Sequence, residues 1–448
     1  MVDALNHTAL LLKGLDTVCT QERLLRVSSK ARLALLDYLG CTIAGAFVND
    51  DKCKSYIKFS ETGTIPVLGT CQKTTLQTAA LLNGINSHLL ELDDGHRRGA
   101  LHVGGPIFSA LLAVAAREHI CADDLIRGIV VGYESSIRLA CAIQPDNKLK
   151  GYHATGTCGT IGAALGIAAA LSYTEEQKNA TLATAVTSAA GVLEMQEDDS
   201  DLKPYNVGRA AMDAVAAAMI GRAGLKGPQD AIGGKRGFLK VMTDKPKLDF
   251  LTDFSSESLG IEQIYQKVYA ACRHAHPAIE AALLLQNMIS VDEIESIVVE
   301  AYSLAVAGHD HQEISGIGSA KMSIPFSVAV ALVSGNAGNE AYSEKTIADN
   351  RIISLAKKVM VVENKELTAL CPNKRASIVT IMTKTGKFTK RVDYPKGEPE
   401  NPLSRHEVEE KFMELGCYGG LTAEKCKMII HEIWQKDFSI SAIFDMIS

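Results

Sequence analysis

The chain has 448 residues, of which 47% are hydrophobic and 22% are charged, a composition typical of a globular protein that excludes extensive disorder. Its length exceeds what one simple core supports and predicts two or three domains. The formal net charge is −6 and there is no basic run, which argues against a nucleic-acid partner.

The N-terminal residues and the cysteines indicate the compartment. The first residues lack the cationic region and the small-residue cleavage site of a signal peptide. No apolar run reaches the roughly 18 residues of a membrane span, so we expect no membrane association. The eleven cysteines are odd in number and form no Cys-x-x-Cys pair, which favours reduced thiols over disulfides or structural zinc. We therefore expect a cytoplasmic protein.

Residues 5 to about 260 follow a helical pattern, with apolar residues recurring at helical spacing. The predicted helices are 31–47, 75–92, 106–119, 122–143, 161–172, 174–193 and 206–224. Gly224, followed by Gly227 and Pro228, ends the last of them. The small side chains of these segments let neighbouring helices approach closely.

The pattern changes near Ile261. Strand-like β-branched and aromatic residues dominate 261–270, 293–303 and 357–364, and 376–394 predicts a hairpin across Thr385–Gly386. Helical patterns at 276–289 and 325–335 lie between these strands, and helices return at 405–416 and 422–436 after a proline-rich break. We predict a mostly α protein. An all-helical domain is built from both chain ends, residues 1–262 and 397–448, and a smaller α+β lid domain comprises residues 263–396.

The stretch HLLELDDGHRRGALHVGG at 88–105 concentrates acids, histidines and arginines between glycines. A helix that continues through Glu91 would place Asn83, Ser87 and Glu91 on one face. The loop that follows carries further candidate residues, Asp94, His96, Arg97, Arg98 and His102. A solvated loop is the plain alternative. A metal site is a third reading, but no standard ligand spacing is met, so we predict no metal.

Three further segments carry polar side chains at helix starts. His153 precedes a glycine- and threonine-rich turn, and Lys203 precedes a helix that we expect to begin near Asn206. Free N–H groups at such positions attract anions. Arg273, His274 and His276 stand where a predicted strand turns into a helix. We expect the acidic run 197–201 and the His-Asp-His sequence at 309–311 to lie at the surface.

Taken together, these segments resemble the MmgE/PrpD family. The resemblance covers nearly the whole chain, through NGINSHLLELDD, GYHATGTCGTIGAALG, LKPYNVGRAAMDAVAAAMIGRAGLKGP, GGKRGF, SIPFSVAVAL and YPKGEPENPLSRHEVEEKF in this order. The family includes 2-methylcitrate dehydratases, cis-aconitate decarboxylases and an iminodisuccinate epimerase. The resemblance implies a helical domain made from both chain ends, an α+β lid, a homodimer and no cofactor.

The resemblance also implies site residues. The family's acid before the loop falls on Glu91, where aspartate is more usual, and a common threonine is Gly95 here. The loop histidine maps to His102, and the inserted His96, Arg97 and Arg98 are not part of the family pattern. We predict catalytic roles for His102, His153, Glu91 and Asp94. We predict substrate binding by Lys203, Arg97, Arg98, His96, Arg273 and His276.

The predicted cationic and basic side chains indicate proton transfer on a small polycarboxylate. Small polycarboxylates need cationic partners, since unpaired carboxylates are costly to desolvate, and breaking a C–H bond beside a carboxylate needs a base. We expect a cofactor-independent lyase that dehydrates or decarboxylates a small di- or tricarboxylate. An epimerase of a small dicarboxylate is the alternative, and a non-catalytic carboxylate-binding dimer is a second one. An aconitase-like cluster is disfavoured because no suitable cysteine set is present.

Overall fold

The computed structural model describes residues 6–196, 200 and 202–447. The acidic run at 197–201 therefore lies, apart from Ser200, outside the described residues. Twelve helices precede the α+β part of the chain, α1 to α12. In order they are His7–Val18, Gln21–Val48, Asp50–Ile57, Leu76–His88, Gly104–Ala115, Ala122–Ile143, Asp146–Leu149, Ala154–Ala170, Glu175–Ser188, Lys203–Arg222, Phe238–Met242 and Asp249–Thr252.

Side-chain caps explain where several of these helices begin. Thr20, Thr75 and Thr174 each accept a hydrogen bond from a backbone N–H of the first turn. Thr174 and Gln177 form a reciprocal capping box at the start of α9. The sequence prediction for α6 matches its observed bounds, Ala122–Ile143. In α10 Pro204 stands in the first turn, where its missing N–H costs nothing.

The described residues after Thr252 form ten helices and one larger sheet. The helices α13 to α22 are His276–Gln286, Ser303–Val306, Ile317–Met322, Ile324–Ser334, Glu344–Ile347, Asn350–Ala356, Lys365–Leu370, Arg405–Tyr418, Ala423–Ile433 and Ile440–Ile447. The strands are β1 (Ile65–Pro66), β2 (Lys73–Thr74), β3 (Ile294–Ala301), β4 (Val359–Glu363), β5 (Ser377–Thr383) and β6 (Gly386–Val392). Short 3₁₀ turns lie at Leu193–Gln196, Gly260–Gln263, Val291–Glu293 and Asn339–Ala341.

The larger sheet has the order β4-β3-β5-β6. Strand β3 pairs parallel with β4 and antiparallel with β5, and β5 pairs antiparallel with β6. The predicted hairpin is confirmed, but its turn is Lys384–Thr385, one residue before the predicted Thr385–Gly386, so that Thr383 lies opposite Gly386. The pair β1–β2 forms a separate two-stranded ribbon.

Two apolar cores organise the molecule. The first joins residues of the N-terminal helices, such as Leu11 and Phe108, to Phe412 and Ile433 of the C-terminal helices. The second is formed around the sheet and α16, and includes Phe326. The predicted fold class is therefore confirmed: a mostly α protein with a helical domain from both chain ends and a smaller α+β domain. The numbered domain boundaries stay predictions.

The segment 261–270 is not the strand that its residues predict. After the 3₁₀ turn its backbone hydrogen bonds go to single residues of three loops, the last from the N–H of Ala270 to the carbonyl of Ala337. Tyr265 exchanges N–H···O bonds with Gly95, and the N–H of Gln266 donates to the carbonyl of Gly397. With no neighbouring strand, its β-branched and aromatic side chains are buried between other elements instead. This segment carries Lys267 into the interior, where the lysine is 1% exposed.

Helix α2 is long and apolar enough to cross a membrane by length and composition, although no membrane span is predicted from the sequence. However, 83% of its apolar window is buried inside the molecule. It packs against α4 and α20 and contributes Leu35, Leu36 and Leu39 to the first core. Such a helix is equally typical of a protein core, so the expectation of no membrane association stays a prediction.

Helices α4 and α10 pack at close range through glycines. We expect Gly84→Ala to lower the thermal midpoint, because the added Cβ would lie 2.5 Å from Cα of Gly208. Backbone, not a flexible side chain, has to move, and overpacking of this kind costs about 1–3 kcal/mol. Differential scanning calorimetry measures the change. Gly318→Ala is the control, since its Cβ meets nothing within 4 Å; an equal loss in both variants would contradict the packing argument.

Candidate active site

Glu91 lies at the junction of the two domains. Its neighbours Leu90 and Leu92 are buried in the second core, although α4 belongs to the helical domain. Helix α4 ends at His88, so the sequence prediction that Glu91 continues this helix is wrong. The φ of Glu91 is 56°, a left-handed conformation that a non-glycine residue adopts at a cost. Helix α4 ends before Glu91 because Leu90 and Leu92 are buried in the second core.

Two lysines hold the Glu91 carboxylate. Lys267 donates to Glu91 Oε2 at 2.7 Å and to the Glu91 carbonyl at 3.0 Å. Lys203, the first residue of α10, pairs with Glu91 Oε1. Burial alone would raise the pKa of Glu91, but the two lysine charges outweigh it and hold the pKa well below its usual range. The carboxylate is therefore ionised at neutral pH.

A third lysine lies behind the same carboxylate. Lys321, at the end of α15, donates to the carbonyl of Leu90 at 3.1 Å and is 5% exposed. Burial lowers the pKa of Lys321 to about 8, against the attraction of Glu91. Lysines from α10, from α15 and from the extended segment before α13 thus meet at one acid.

His102 is oriented by a neighbouring acid. Its Nδ1 is 3.1 Å from Asp93 Oδ2 and 3.2 Å from the carbonyl of Asp94. Both acceptors face Nδ1, so the proton resides there and Nε2 is left free to accept one. Burial lowers the pKa of His102 to about 4, although Asp93 opposes this. His102 is a neutral imidazole at neutral pH, which is the form that a general base requires.

His88 shares the same acid. Its Nδ1 lies 2.8 Å from Asp93 Oδ2, its Nε2 lies 3.5 Å from Glu91 Oε1, and its ring centroid is 4.4 Å from that of His102. Burial raises the pKa of Asp93, but the two histidines outweigh it and hold the pKa well below its usual range. Asp93 therefore links the histidines to the Glu91 group.

His153 joins this group from the start of α8. It is the N-cap residue of that helix, and its Nδ1 lies 3.3 Å from Asn206 Nδ2 of α10. The backbone N–H of His102 donates to Thr155 Oγ1 at 3.0 Å, which places the two histidine segments side by side. Burial, the largest cause, and the positive charge of Lys203 hold the pKa of His153 well below its usual range. The structure thus brings Glu91, His102, His153 and Lys203 together.

Asp94 has other partners. Tyr133 OH donates to Asp94 Oδ2 at 2.5 Å, and the N–H of Gly104 donates to Oδ1 at 2.8 Å. Burial raises the pKa of Asp94 to about 7 against these two hydrogen bonds. Its side chain fixes the loop to α5 and α6, and its carbonyl orients His102. This contact positions His102, and the predicted catalytic role of Asp94 stays a prediction.

The inserted residues His96, Arg97 and Arg98 have partners outside this group. The Nδ1 of His96 accepts from Gly99 N–H at 3.1 Å, and burial lowers the pKa of His96 to about 3. Arg97 pairs with Glu398 and with Glu400, and Arg98 donates to Asn373 Oδ1 at 2.8 Å. The side chains predicted to bind substrate therefore tie the loop to the α+β domain and to the chain that follows it.

Arg273 and His276 also have structural partners. Arg273 donates to Glu398 Oε1 through Nε at 2.6 Å and through Nη2. His276 Nε2 lies 3.2 Å from the carbonyl of Ala271, and its ring packs against Tyr269 at 5.2 Å. Burial, and then the charges of Arg273 and Lys267, hold the pKa of His276 well below its usual range. These contacts give no support to the predicted substrate-binding role of either residue.

Sequence reasoning missed several members of the group. Lys267 lies in a segment that resembled a strand, and nothing local marked it as functional. His309, which we expected at the surface, is partly buried with its Nε2 3.9 Å from Cys272 Sγ. Asp93 was not among the residues predicted to act in catalysis or to bind substrate. The burial of Lys267 would have marked it as functional, because lysine is rarely buried without a partner. The local sequence around Lys267 does not show that it is buried.

Two sets of side chains have ligand atoms within 4.8 Å of one another and so meet the distance requirement for a metal, namely His88, Glu91 and His102, and Cys272, His274 and His309. In the first set the Glu91 oxygens already bind Lys203 and Lys267. The charges of Lys148 and Arg375 act on the second set. Nearby cations repel a divalent ion, so neither set favours one.

Family models for both halves of the chain match. The MmgE/PrpD N-terminal domain matches residues 19–251, and the MmgE/PrpD C-terminal domain matches residues 269–436. The chain belongs to the MmgE/PrpD family. Curated relatives of this MmgE/PrpD protein include a cis-aconitate decarboxylase of Aspergillus terreus, 26% identical over 432 residues, which are 89% of this chain and 86% of the relative.

Two further relatives have similar names. A cis-aconitate decarboxylase-like protein of Aspergillus oryzae is 24% identical over 87% of this chain and 86% of its own length. The cis-aconitate decarboxylase of Homo sapiens is 24% identical over 75% of this chain and 71% of its own length. The family and these names indicate a lyase of the decarboxylase or dehydratase kind.

Proposed function

We propose that this protein is a lyase that removes carbon dioxide or water from a small di- or tricarboxylate by proton transfer at carbon, without a metal or organic cofactor. The observation that carries this proposal is the meeting of Lys203, Lys267 and Lys321 around Glu91, beside His102. Each of the three ammonium groups carries one positive charge and three hydrogen-bond donors. The single carboxylate of Glu91 does not balance these charges or accept all of these donors.

The lysines serve to hold substrate carboxylates. An ionised carboxylate enters a buried site only when charged donors replace its water, and charge-assisted hydrogen bonds are about twice as strong as neutral ones. Either reaction also develops negative charge on carbon beside a carboxylate, or on the carboxylate itself. Fixed ammonium groups stabilise that charge more in a buried site than in water.

His102 serves to move the proton. In a dehydration its free Nε2 takes the C–H proton and the leaving hydroxide needs an acid; in a decarboxylation the carbon left by carbon dioxide needs a proton. The hydrogen bond from Nδ1–H to Asp93 orients the ring and stabilises the imidazolium when it forms. His153, on the adjacent segment, is the second neutral imidazole within the same group.

A substrate panel in D2O tests the proposal. The purified protein is incubated with cis-aconitate, 2-methylcitrate and iminodisuccinate while NMR follows deuterium incorporation and product formation. Loss of carbon dioxide or water from one of the first two supports the lyase. Deuterium exchange with inversion of iminodisuccinate and no loss of atoms would replace it by the epimerase. Saturable binding without exchange or turnover of any compound would leave a carboxylate-binding protein.

We expect Lys203→Met to weaken substrate binding more than it slows turnover. The Lys203 side chain is 15% exposed and pairs with the Glu91 carboxylate. We expect it to bind a substrate carboxylate in the same way. Loss of a buried charge partner costs roughly 2–4 kcal/mol of binding. Isothermal titration calorimetry and kcat measure the two effects. Abolished turnover at saturating substrate, with unchanged affinity, would exchange the roles of Lys203 and His102.

We expect turnover to survive dialysis against EDTA, and added divalent ions not to raise it. The best-placed carboxylate, Glu91, is already neutralised by two lysines, and a third lysine lies behind it. A metal would have to displace them. Turnover is assayed before and after chelation, with metal content measured by atomic emission. Loss of turnover on chelation that one divalent ion restores would contradict the expectation.

A further inference from the structure

A cysteine and a histidine form a pair beside the active-site group. Cys272 lies five residues after Lys267, and its N–H donates to the carbonyl of Lys321 at 2.8 Å. Its Sγ is 3.9 Å from His309 Nε2. His309 Nδ1 donates to the carbonyl of Met322 at 3.0 Å, which turns Nε2 toward the sulfur. The His274 ring stacks on His309 at 5.0 Å and holds its orientation.

The surroundings of Cys272 favour the thiolate. The charged and titratable groups that act on it are His309, Lys148, Lys203, Glu91 and Tyr302. Burial and Glu91 raise the pKa of Cys272, but the charge and hydrogen bond of His309, with Lys203, lower it to about 6. Despite its burial, the pKa of His309 is raised by the thiol beside it. Both directions describe a thiolate–imidazolium pair.

Accessibility separates this cysteine from the five that are buried. Cys272 is partly exposed, whereas Cys41, Cys53, Cys141, Cys158 and Cys426 are buried. Burial raises the pKa of Cys41 above its ordinary range and that of Cys158 to about 12. A partly exposed cysteine in electropositive surroundings is the environment in which thiols react.

We propose that Cys272 is a site of covalent modification, where a thiolate paired with His309 adds to small unsaturated carboxylates drawn in by the neighbouring lysines. The ligand class rests on the proposed function. Loss of water from a polycarboxylate gives an unsaturated product, and the decarboxylation considered above starts from an unsaturated substrate. Sulfur attacks the β-carbon and forms a C–S bond. The double-bond electron pair moves to the α-carbon, which takes the proton of His309. The elements of S–H are thereby added, with no oxidant or reductant.

Iodoacetate and iodoacetamide, which differ in charge, test the thiol. At pH 6 an ordinary thiol of pKa about 8.5 is roughly 0.3% ionised. A thiol near pKa 6 is about half ionised, and after correction for its weaker nucleophilicity reacts roughly tenfold faster. Peptide mass mapping should therefore find Cys272 alkylated about tenfold faster than the exposed Cys71, with a stronger preference for iodoacetate. Equal rates at Cys272 and Cys71 would overturn the proposal.

His309→Gln should bring the pH 6 alkylation rate of Cys272 down to that of Cys71 and move its pH profile upward, since the imidazolium is removed. His311→Gln, in the same loop, should leave the rate unchanged because its Nε2 contacts Ser319 instead. Buried Cys158 must stay unlabelled in each variant as the sign of a folded protein. An unchanged rate and profile in folded His309→Gln would contradict the pairing.

Maleate, a small unsaturated dicarboxylate, tests the ligand class. Intact-protein mass spectrometry should show one maleate adduct, which maps to Cys272 and is absent in Cys272→Ser. The adduct is read by mass, so it does not depend on turnover. An adduct without any lyase turnover would support this inference and count against the proposed function. Turnover without an adduct at Cys272 would support the proposed function and contradict this inference.

Discussion

Replacing His102 by Gln is expected to lower kcat by about 10² or more while leaving substrate affinity largely intact. Glutamine keeps a polar side chain of similar reach but cannot accept and return a proton at Nε2. In the folded protein His102 is neutral and held by Asp93 and the Asp94 carbonyl, so the loss falls on proton transfer rather than on binding. Steady-state kinetics and isothermal titration calorimetry, on the substrate found in the panel, measure the two quantities.

A matched variant separates this effect from a general loss of activity. His119→Gln makes the same replacement at an exposed position after α5, and it should leave kcat and affinity unchanged. His96→Gln, in the same loop as His102, should leave kcat largely unchanged too, since His96 binds back to Gly99. The assignment fails if His102→Gln keeps a normal kcat. It also fails if the loss appears in affinity alone.

Local patterns predicted the helices well where caps and periodicity agree. Helix α6 has acids in its first turn and apolar residues at helical spacing, and both signals lie within the helix itself. Helix α4 was predicted too long, because Leu90 and Leu92 belong to a core most of whose other members lie at or after Tyr269. The periodicity of 75–92 gives no sign of that core. The end of α4 is thus decided by tertiary packing.

The candidate site shows the same division. His102, His153 and Lys203 could be found because unusual polar residues stand beside glycines or helix starts. Lys267 could not, since its partner Glu91 lies 176 residues earlier and its own segment reads as a strand. Arg97 was predicted to bind substrate because a polycarboxylate needs cationic partners. No pattern in the sequence shows that Arg97 pairs with Glu398, 301 residues later. Ion pairs over such separations exist only in the folded chain.

The second large effect is expected on stability, from Lys267→Met. Lys267 is fully buried in its side chain and donates to both the carboxylate and the carbonyl of Glu91. Methionine fills similar space but leaves a buried carboxylate with one fewer cation, and breaking a buried pair in this way costs about 3–5 kcal/mol. The midpoint of urea unfolding, followed by circular dichroism, should fall accordingly.

Two variants show whether the uncompensated charge of Glu91 is the cause. Lys203→Met should lower the unfolding midpoint less than Lys267→Met does, because Lys203 is partly exposed and Glu91 keeps Lys267. Glu91→Gln combined with Lys267→Met should recover part of the loss, because the buried carboxylate is removed together with its buried partner and only the partly exposed Lys203 loses an ion pair. The low pKa of Glu91 gives the sign of the pH dependence: its ion pair stabilises the fold above the unfolded-state pKa and loses this effect as pH falls. The loss in Lys267→Met should therefore shrink at acidic pH. A Lys267→Met protein that unfolds at the same urea concentration as the parent, at neutral pH, would show that the pair around Glu91 does not stabilise the junction of the two domains.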